Sequence, residues 1–251
     1  TYSTNVMGTV NLFESIRSIP SVKAVVNITT DKCYENKEWV WPYRENEPMG
    51  GHDPYSTSKA CSELITSSYR RSFFSEANIQ LASVRSGNVI GGGDWSKDRL
   101  IPDFIHSLDA SKELVIRSPK AVRPWQHVLE PLSGYLMLAE KLYNNGELYA
   151  EAWNFGSDFS DSKTVEWIAS YLCDNTSGSS WKLDSEFQPH EAEVLMLDSA
   201  KAKTKLGWEP KWNIEKALIK TLEWHHAWKD SAQMRRVSLQ QIKDYERAMK
   251  L

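Results

Sequence analysis

Two short runs of aliphatic and β-branched residues constrain this chain more than anything else in it: Val22-Lys23-Ala24-Val25-Val26-Asn27-Ile28 and Ile79-Gln80-Leu81-Ala82-Ser83-Val84-Arg85. Each reads as a strand of the buried, parallel type. A helical pattern precedes each. Val6, Val10, Phe13 and Ile16 lie near one face of the first, and Ala60, Leu64, Ile65, Tyr69 and Phe73 mark the second, over residues 55–74. Helix, strand, helix, strand in this order predicts an α/β fold built on a doubly wound parallel sheet with right-handed crossovers. Ligands of such sheets bind beyond the carboxyl ends of the strands. Thr29-Thr30-Asp31-Lys32 and Ser86-Gly87-Asn88 fall at those ends. The polar, aromatic and Pro-rich stretch from Asp31 to Pro54 is too long for a simple turn and is a candidate active-site loop.

Beyond Gly91-Gly92-Gly93 the pattern is irregular. Helices are expected near residues 101–108, 132–142, 164–173 and 199–206, with a last one over 214–228, and short strands at 113–117 and 152–155. Asn175 to Ser180 reads as a polar loop, and the charged tail after Lys229 as helical or frayed. Hydrophobic residues at 41% and charged residues at 25% are an ordinary globular composition. A net charge of -3 with no basic block argues against a nucleic-acid partner. No apolar run is long enough to span a membrane. Cys33, Cys61 and Cys173 are few, dispersed and odd in number, which suits reduced thiols in a cytoplasmic protein. The six histidines lack ligand spacing, so no metal is expected. The chain opens at Thr1 without Met and its first helix begins almost at once, so an upstream segment is expected to be missing.

Chemistry concentrates in Tyr55-Ser56-Thr57-Ser58-Lys59. A phenol and an ammonium four apart share one helix face, and the cation favours the phenolate that would act as base. Such a pair alone is common on surface helices. Its position, opening a helix just after Pro54 and following a strand that ends in Thr29-Thr30-Asp31-Lys32, makes it informative. Together with Asn5-Val6-x-Gly8-Thr9, Asp53-Pro54-Tyr55 and the strand-end Asn88, these residues resemble the extended short-chain dehydrogenase/reductase family over essentially the whole chain.

That resemblance implies a Rossmann-type sheet, with its N-terminal strands missing, beside a smaller mixed α/β substrate-binding domain. It assigns residues 1–90 and 121–158 to the NAD-binding part, and 91–120 and 159–251 mainly to the sugar-nucleotide part. Asp31-Lys32 stands where epimerases of the family have small or apolar residues and where 4,6-dehydratases have an acidic pair. A lysine in the second place, with Asn88-Val89-Ile90-Gly91-Gly92-Gly93-Asp94-Trp95, Arg123-Pro124-Trp125-Gln126-His127-Val128 and His190-Glu191-Ala192, resembles the branch acting on CDP-glucose.

The implied roles follow residue by residue. Tyr55 is the base at the sugar 4-hydroxyl and Thr30 its orienting partner. Lys32 is the base at C5, and Asp31 the acid for the departing C6 hydroxyl. Burial in a closed site would move both Asp31 and Lys32 toward the neutral forms this needs, and a direct ion pair between the two would oppose it; both outcomes stay open. Lys59 also binds the nicotinamide ribose of NAD, Arg123 the substrate diphosphate, and Asn88 and His190 the nucleotide sugar; Trp95 and Trp125 stand near the base or in the core. The glycine triplet follows a late strand and reads as a turn beside the substrate pocket, not a phosphate cradle, since no G-x-G-x-x-G occurs in the chain. The front of the NAD site is therefore expected to be missing, along with the activity of this chain alone. A homo-oligomer through helices 6–16 and 55–74 is implied as well. Another nucleotide-sugar dehydratase, an epimerase or an inactive fragment remain the alternatives.

Overall fold

The computed structural model describes residues 1–185 and 194–250. It divides the chain into two units, the first made of Thr1–Gly87, Pro131–Gly156 and Met196–Glu209, the second of Asn88–Glu130, Ser157–Leu195 and Pro210–Leu251.

In the first unit, strands β1 (Ala24–Ile28), β2 (Gln80–Ser86) and β6 (Ala152–Phe155) form a parallel sheet in the order β1-β2-β6. The pairing runs from Ala24 opposite Gln80 to Ile28 opposite Val84, and from Ser83 opposite Ala152 to Ser86 opposite Phe155. Successive strand residues point to opposite faces, so both faces must be covered. Leu81 and Val25 pack with Phe13, Ile16, Phe74 and Ile79, from the side of α1 (Gly8–Arg17) and α2 (Pro54–Tyr69). Ala82, Val84 and Val26 pack with Tyr135, Leu138 and Leu142 of α4 (Leu129–Asn145). This is the doubly wound arrangement expected from the two apolar runs.

Small hydroxyl residues let α2 sit close to its neighbours. Asn5 donates to Ser58 at 2.9 Å, Thr9 and Ser62 share a bond of 2.9 Å, and Asn27 on β1 donates to Thr66 at 2.7 Å.

The second unit holds a mixed sheet of β3 (Asn88–Ile90), β5 (Val122–His127) and β7 (Ser162–Thr164), and a parallel pair of β4 (Leu114–Ile116) and β8 (Trp181–Leu183). Its core gathers Phe104 and Ile105 of α3 (Leu100–Asp109), Ile168 and Leu172 of α5 (Val165–Asp174), and Leu218 and Leu222 of α6 (Ile214–Lys229). Trp125 is part of this core, whereas Trp95 is partly exposed and stacks with His106. His127, also buried, packs on Trp212, and burial together with the Lys220 charge pushes its imidazole down to about 4. The glycine triplet is a turn: a side chain on Gly92 would lie 2.1 Å from the Trp224 ring, and Gly93 has φ +83°. An indole fills the space that a phosphate cradle would need.

The structure departs from the sequence expectation in its unit boundaries and at Asn88, and residues 88–90 and 157–158 fall in the second unit. Residues 121–130 belong to the second unit, and Met196–Glu209 to the first. Asn88 opens β3 instead of closing β2. The tail after Lys229, expected to be helical or frayed, forms the helix α7 (Met234–Met249). Its apolar stripe is thin because polar groups dock it: Gln241 donates to the Lys220 carbonyl at 2.7 Å, and Tyr245 to Glu130 at 2.6 Å. Glu130 also accepts the backbone N–H groups of Lys211 and Trp212. Burial raises its pKa, and these bonds work the other way. Replacing Tyr245 by Phe should lower stability by about 1–2 kcal/mol with an unchanged denaturant slope, since it leaves a buried carboxylate short of one donor. An unaltered urea midpoint would count against the latch.

Candidate active site

α2 begins where it does because Asp53 caps it and Pro54 occupies its first turn. The Asp53 carboxylate accepts Tyr55 N at 2.8 Å, Ser56 N at 3.0 Å and the Ser56 hydroxyl at 2.5 Å. Burial works to raise the Asp53 pKa, but the Ser56 and Tyr55 bonds and the nearby Lys32 charge hold it below the usual value. The preceding loop crosses the helix start so closely that a side chain on Gly51 would fall 2.2 Å from Thr57 N. Only glycine fits there.

Against this helix packs the turn that follows β1, a single 3₁₀ turn over Asp31–Cys33. Thr30 is extended at its head, with its hydroxyl donating to Asp31 at 3.0 Å and accepting Lys32 N at 3.4 Å. Asp31 is 3% exposed. Lys32 is exposed, so only Asp31 of the two is buried; they alternate between the inside and outside of one tight turn. Tyr55, 44% exposed, opens α2, and Lys59 lies one turn on, half-buried. Burial lowers the Lys59 pKa and the charge of Glu63 opposes it. No carboxylate stands within ion-pair distance of Lys59 among the described residues. Thus Thr30, Asp31 and Lys32 share one turn, and Tyr55 and Lys59 lie on the helix packed against it.

Behind the turn lies a buried polar cluster that sequence reasoning missed. Arg85, at the end of β2, forks onto Glu63 of α2 through Nε at 2.9 Å and Nη2 at 2.8 Å. Ser83 donates to the same carboxylate at 2.6 Å, and Thr29 donates to it as well. Burial opposes both charges, but their pairing wins: the Glu63 carboxyl is held below its usual range and the Arg85 guanidinium above its own. Arg85 Nη1 continues to the Tyr34 hydroxyl at 2.6 Å, which donates to Asn154 at 2.8 Å. Asn154 donates to the Tyr43 carbonyl at 2.8 Å, tying the 31–49 loop to β6. The signal was present in principle, as a charged residue closing a buried strand and an acid four residues past Lys59. Tyr135 of α4, bonded to Ser86 at 3.0 Å, is pushed up to about 12 by burial, with the Asp31 charge adding to it.

The remaining expected site residues lie elsewhere. Asn88 is on β3 and Arg123 on β5, both in the second unit. Arg123 is buried and donates to the Val122 carbonyl at 2.9 Å. His190 lies outside the described residues.

A parallel sheet with a Tyr-x-x-x-Lys helix at its carboxyl end defines the class to which this chain is then matched. The sequence profile of the GDP-mannose 4,6 dehydratase family matches residues 1–221, and the chain belongs to that family. It is 54% identical to a CDP-glucose 4,6-dehydratase from Salmonella typhimurium, across 98% of this chain and 70% of that protein. Among solved structures, dTDP-glucose 4,6-dehydratase from Bacillus anthracis in complex with NAD superposes with a TM-score of 0.73 at 24% identity, over 92% of this chain and 70% of that one. A dTDP-glucose 4,6-dehydratase from Streptomyces venezuelae with NAD and TYD bound gives 0.76 at 22% identity, over 92% and 68%. These likenesses establish the Rossmann-type fold. No helix among the described residues is long and apolar enough to cross a membrane.

Losing one member of the buried pair should be costly: Arg85→Met strands a buried carboxylate, at about 3–5 kcal/mol. A Glu63→Gln/Arg85→Met double variant should recover part of that loss. The Glu63 pKa is depressed on folding, so its contribution is complete above 4.5 and disappears as pH falls through the folded value. Urea unfolding between pH 3 and 7 should therefore be less acid-sensitive in the double variant than in the parent.

Proposed function

We propose that this chain carries the catalytic part of an NAD-dependent CDP-glucose 4,6-dehydratase, which makes CDP-4-keto-6-deoxyglucose. The observation that carries the proposal is the Thr30-Asp31-Lys32 turn packed against the Tyr55/Lys59 helix start. The 54% identity to the Salmonella typhimurium enzyme favours CDP-glucose as substrate.

The residues present suit the nicotinamide-ribose end of NAD: a half-buried ammonium at Lys59, without a close carboxylate among the described residues, stands next to a phenol at a parallel sheet's carboxyl end. Lys59 would donate to the ribose hydroxyls, with Tyr55 alongside. When bound, NAD supplies a reversible hydride store, filled from the sugar C4 and emptied at C6, so that no oxidant is consumed.

The chain's own residues move the protons. Tyr55 takes the proton of the 4-hydroxyl, aided by the Lys59 charge, while Thr30 hydrogen-bonds that oxygen and orients it. The 4-ketone so formed acidifies C5–H, and Lys32 removes that proton. Asp31 in its protonated form hands a proton to the C6 hydroxyl, which departs as water. Once hydride has reached C6, Lys32 returns its proton to C5, so that the protons at C5 and at the C6 hydroxyl are each assigned to a named side chain. On this reading the first unit carries the cofactor and the chemistry, and the family resemblance gives Arg123 to the diphosphate and Asn88 and His190 to the nucleotide sugar.

An epimerase is the second reading, favoured by the shared Tyr-x-x-x-Lys arrangement but opposed by Asp31 and Lys32. Incubation of the full-length protein with CDP-glucose should yield a 4-keto-6-deoxy sugar with the ultraviolet absorbance such ketones develop in alkali. Recovery of only C4-inverted sugar would exclude the dehydratase. Tyr55→Phe should cut kcat by about 10²–10⁴-fold with a modest effect on KM.

The proposal extends to a homodimer through α1 and α2, whose outer faces carry Leu12 at 54% and Leu64 at 59% exposure, with Met7 beside them. Sedimentation of Leu64→Glu should then give the monomer where the parent sediments as a larger species.

A further inference from the structure

Glu63 is not among the residues the chemistry above uses, yet it is the most fully engaged side chain near the site. Four donors reach its carboxylate: Arg85 Nε, Arg85 Nη2, the Ser83 hydroxyl and the Thr29 hydroxyl. A carboxylate offers about four acceptor positions, so this one is saturated and cannot swing. Three of the four donors belong to β2. The fourth, Thr29, is the residue immediately before Thr30.

Thr29 is otherwise held only by the sheet. Its N–H extends the β1–β2 pairing by one bond, to the Val84 carbonyl at 2.9 Å, and its hydroxyl oxygen lies 3.1 Å from the same carbonyl. One residue later the chain leaves the sheet for the Asp31–Cys33 turn. Glu63 itself lies one helical turn after Lys59 and two after Tyr55, on the same side of α2. Its charge also opposes the burial that would otherwise weaken the ammonium of Lys59.

We propose that Glu63 and Thr29 form a positioning pair: the clamped carboxylate fixes the Thr29 hydroxyl and so sets where the Thr30-Asp31-Lys32 turn stands relative to Tyr55 and Lys59. The roles given to that turn rest on the functional reading above. The positioning itself does not, and it can be measured without substrate.

Thr29→Val removes the hydroxyl while keeping the branched shape, and leaves the Glu63–Arg85 pair and the Ser83 bond in place, so the fold should persist. In the full chain, amide hydrogen exchange over residues 29–34 should rise about tenfold while 54–69 stays at the parent level. With CDP-glucose, kcat should fall about a hundredfold with KM little changed, as expected for catalytic groups displaced by a fraction of a bond length to an ångström. Thr29→Ser, which restores the hydroxyl, should return both readouts most of the way. A Thr29→Val protein with parent-like exchange at 29–34, parent-like kcat, or the same defect in Thr29→Ser overturns the proposal. If the parent makes no 4-keto product, the functional reading fails on its own, and the exchange contrast between the Val and Ser variants decides the positioning.

Discussion

The Glu63–Arg85 ion pair is the interaction on which the first unit depends. It is a bidentate contact between a helix and a strand, with both charges buried. Burying two charges is expensive, and such a pair is sustained only when its remaining hydrogen-bonding capacity is filled. Here it is filled in a way that recruits neighbours. Ser83 and Thr29 complete the carboxylate, and Tyr34 and the Glu45 carbonyl take the other guanidinium nitrogen. One desolvated pair thereby connects α2, β1, β2 and the loop that follows β1.

That connection explains why an irregular segment can hold a defined conformation. The stretch from Asp31 to Met49 contains little regular structure, yet Tyr34 and Tyr43 within it are buried and stacked at 5.1 Å. The Tyr34 hydroxyl donates to Asn154, which also donates to the Tyr43 backbone carbonyl, and the Tyr43 hydroxyl accepts Lys37 N and donates to Asn36. An aromatic body gives the loop apolar area to bury, and the hydroxyl finds a partner at the far end. The turn that carries Thr30, Asp31 and Lys32 is thus supported from beneath by groups that need not touch a substrate.

The two units are stabilised in different styles. In the first, the buried strands β2 and β6 carry the core, and polar groups gather at strand ends and on the α2 face. In the second, short strands contribute less, and helices α3, α5 and α6 supply most of the apolar contacts. Its polar keystone is Glu130, which gathers two backbone N–H groups and the Tyr245 hydroxyl. Both units therefore use a buried carboxylate as an assembly point, one neutralised by arginine and one by neutral donors.

Local sequence determined a good deal here. Short runs rich in aliphatic and β-branched residues, each preceded by a helical pattern, made the parallel sheet and its helices readable. The Asp53-Pro54 helix start fixed the phase of Tyr55 and Lys59, because capping and the 3.6-residue period are local effects. The place of Thr30, Asp31 and Lys32 at a strand end was readable too, whereas the tight turn they form was not. Tertiary structure alone decided the rest. Glu63 and Arg85 are 22 residues apart, and Tyr34 and Asn154 120, so no local pattern announces that they meet. The tail after Lys229 read as helical or frayed, and its docking as helix α7 through Gln241 and Tyr245 was decided by distant partners. Whether Asp31 or Lys32 is buried could not be read from two adjacent charged residues either. Burial depends on which way a turn faces, and that is set by the packing of distant segments, not by the residues in the turn.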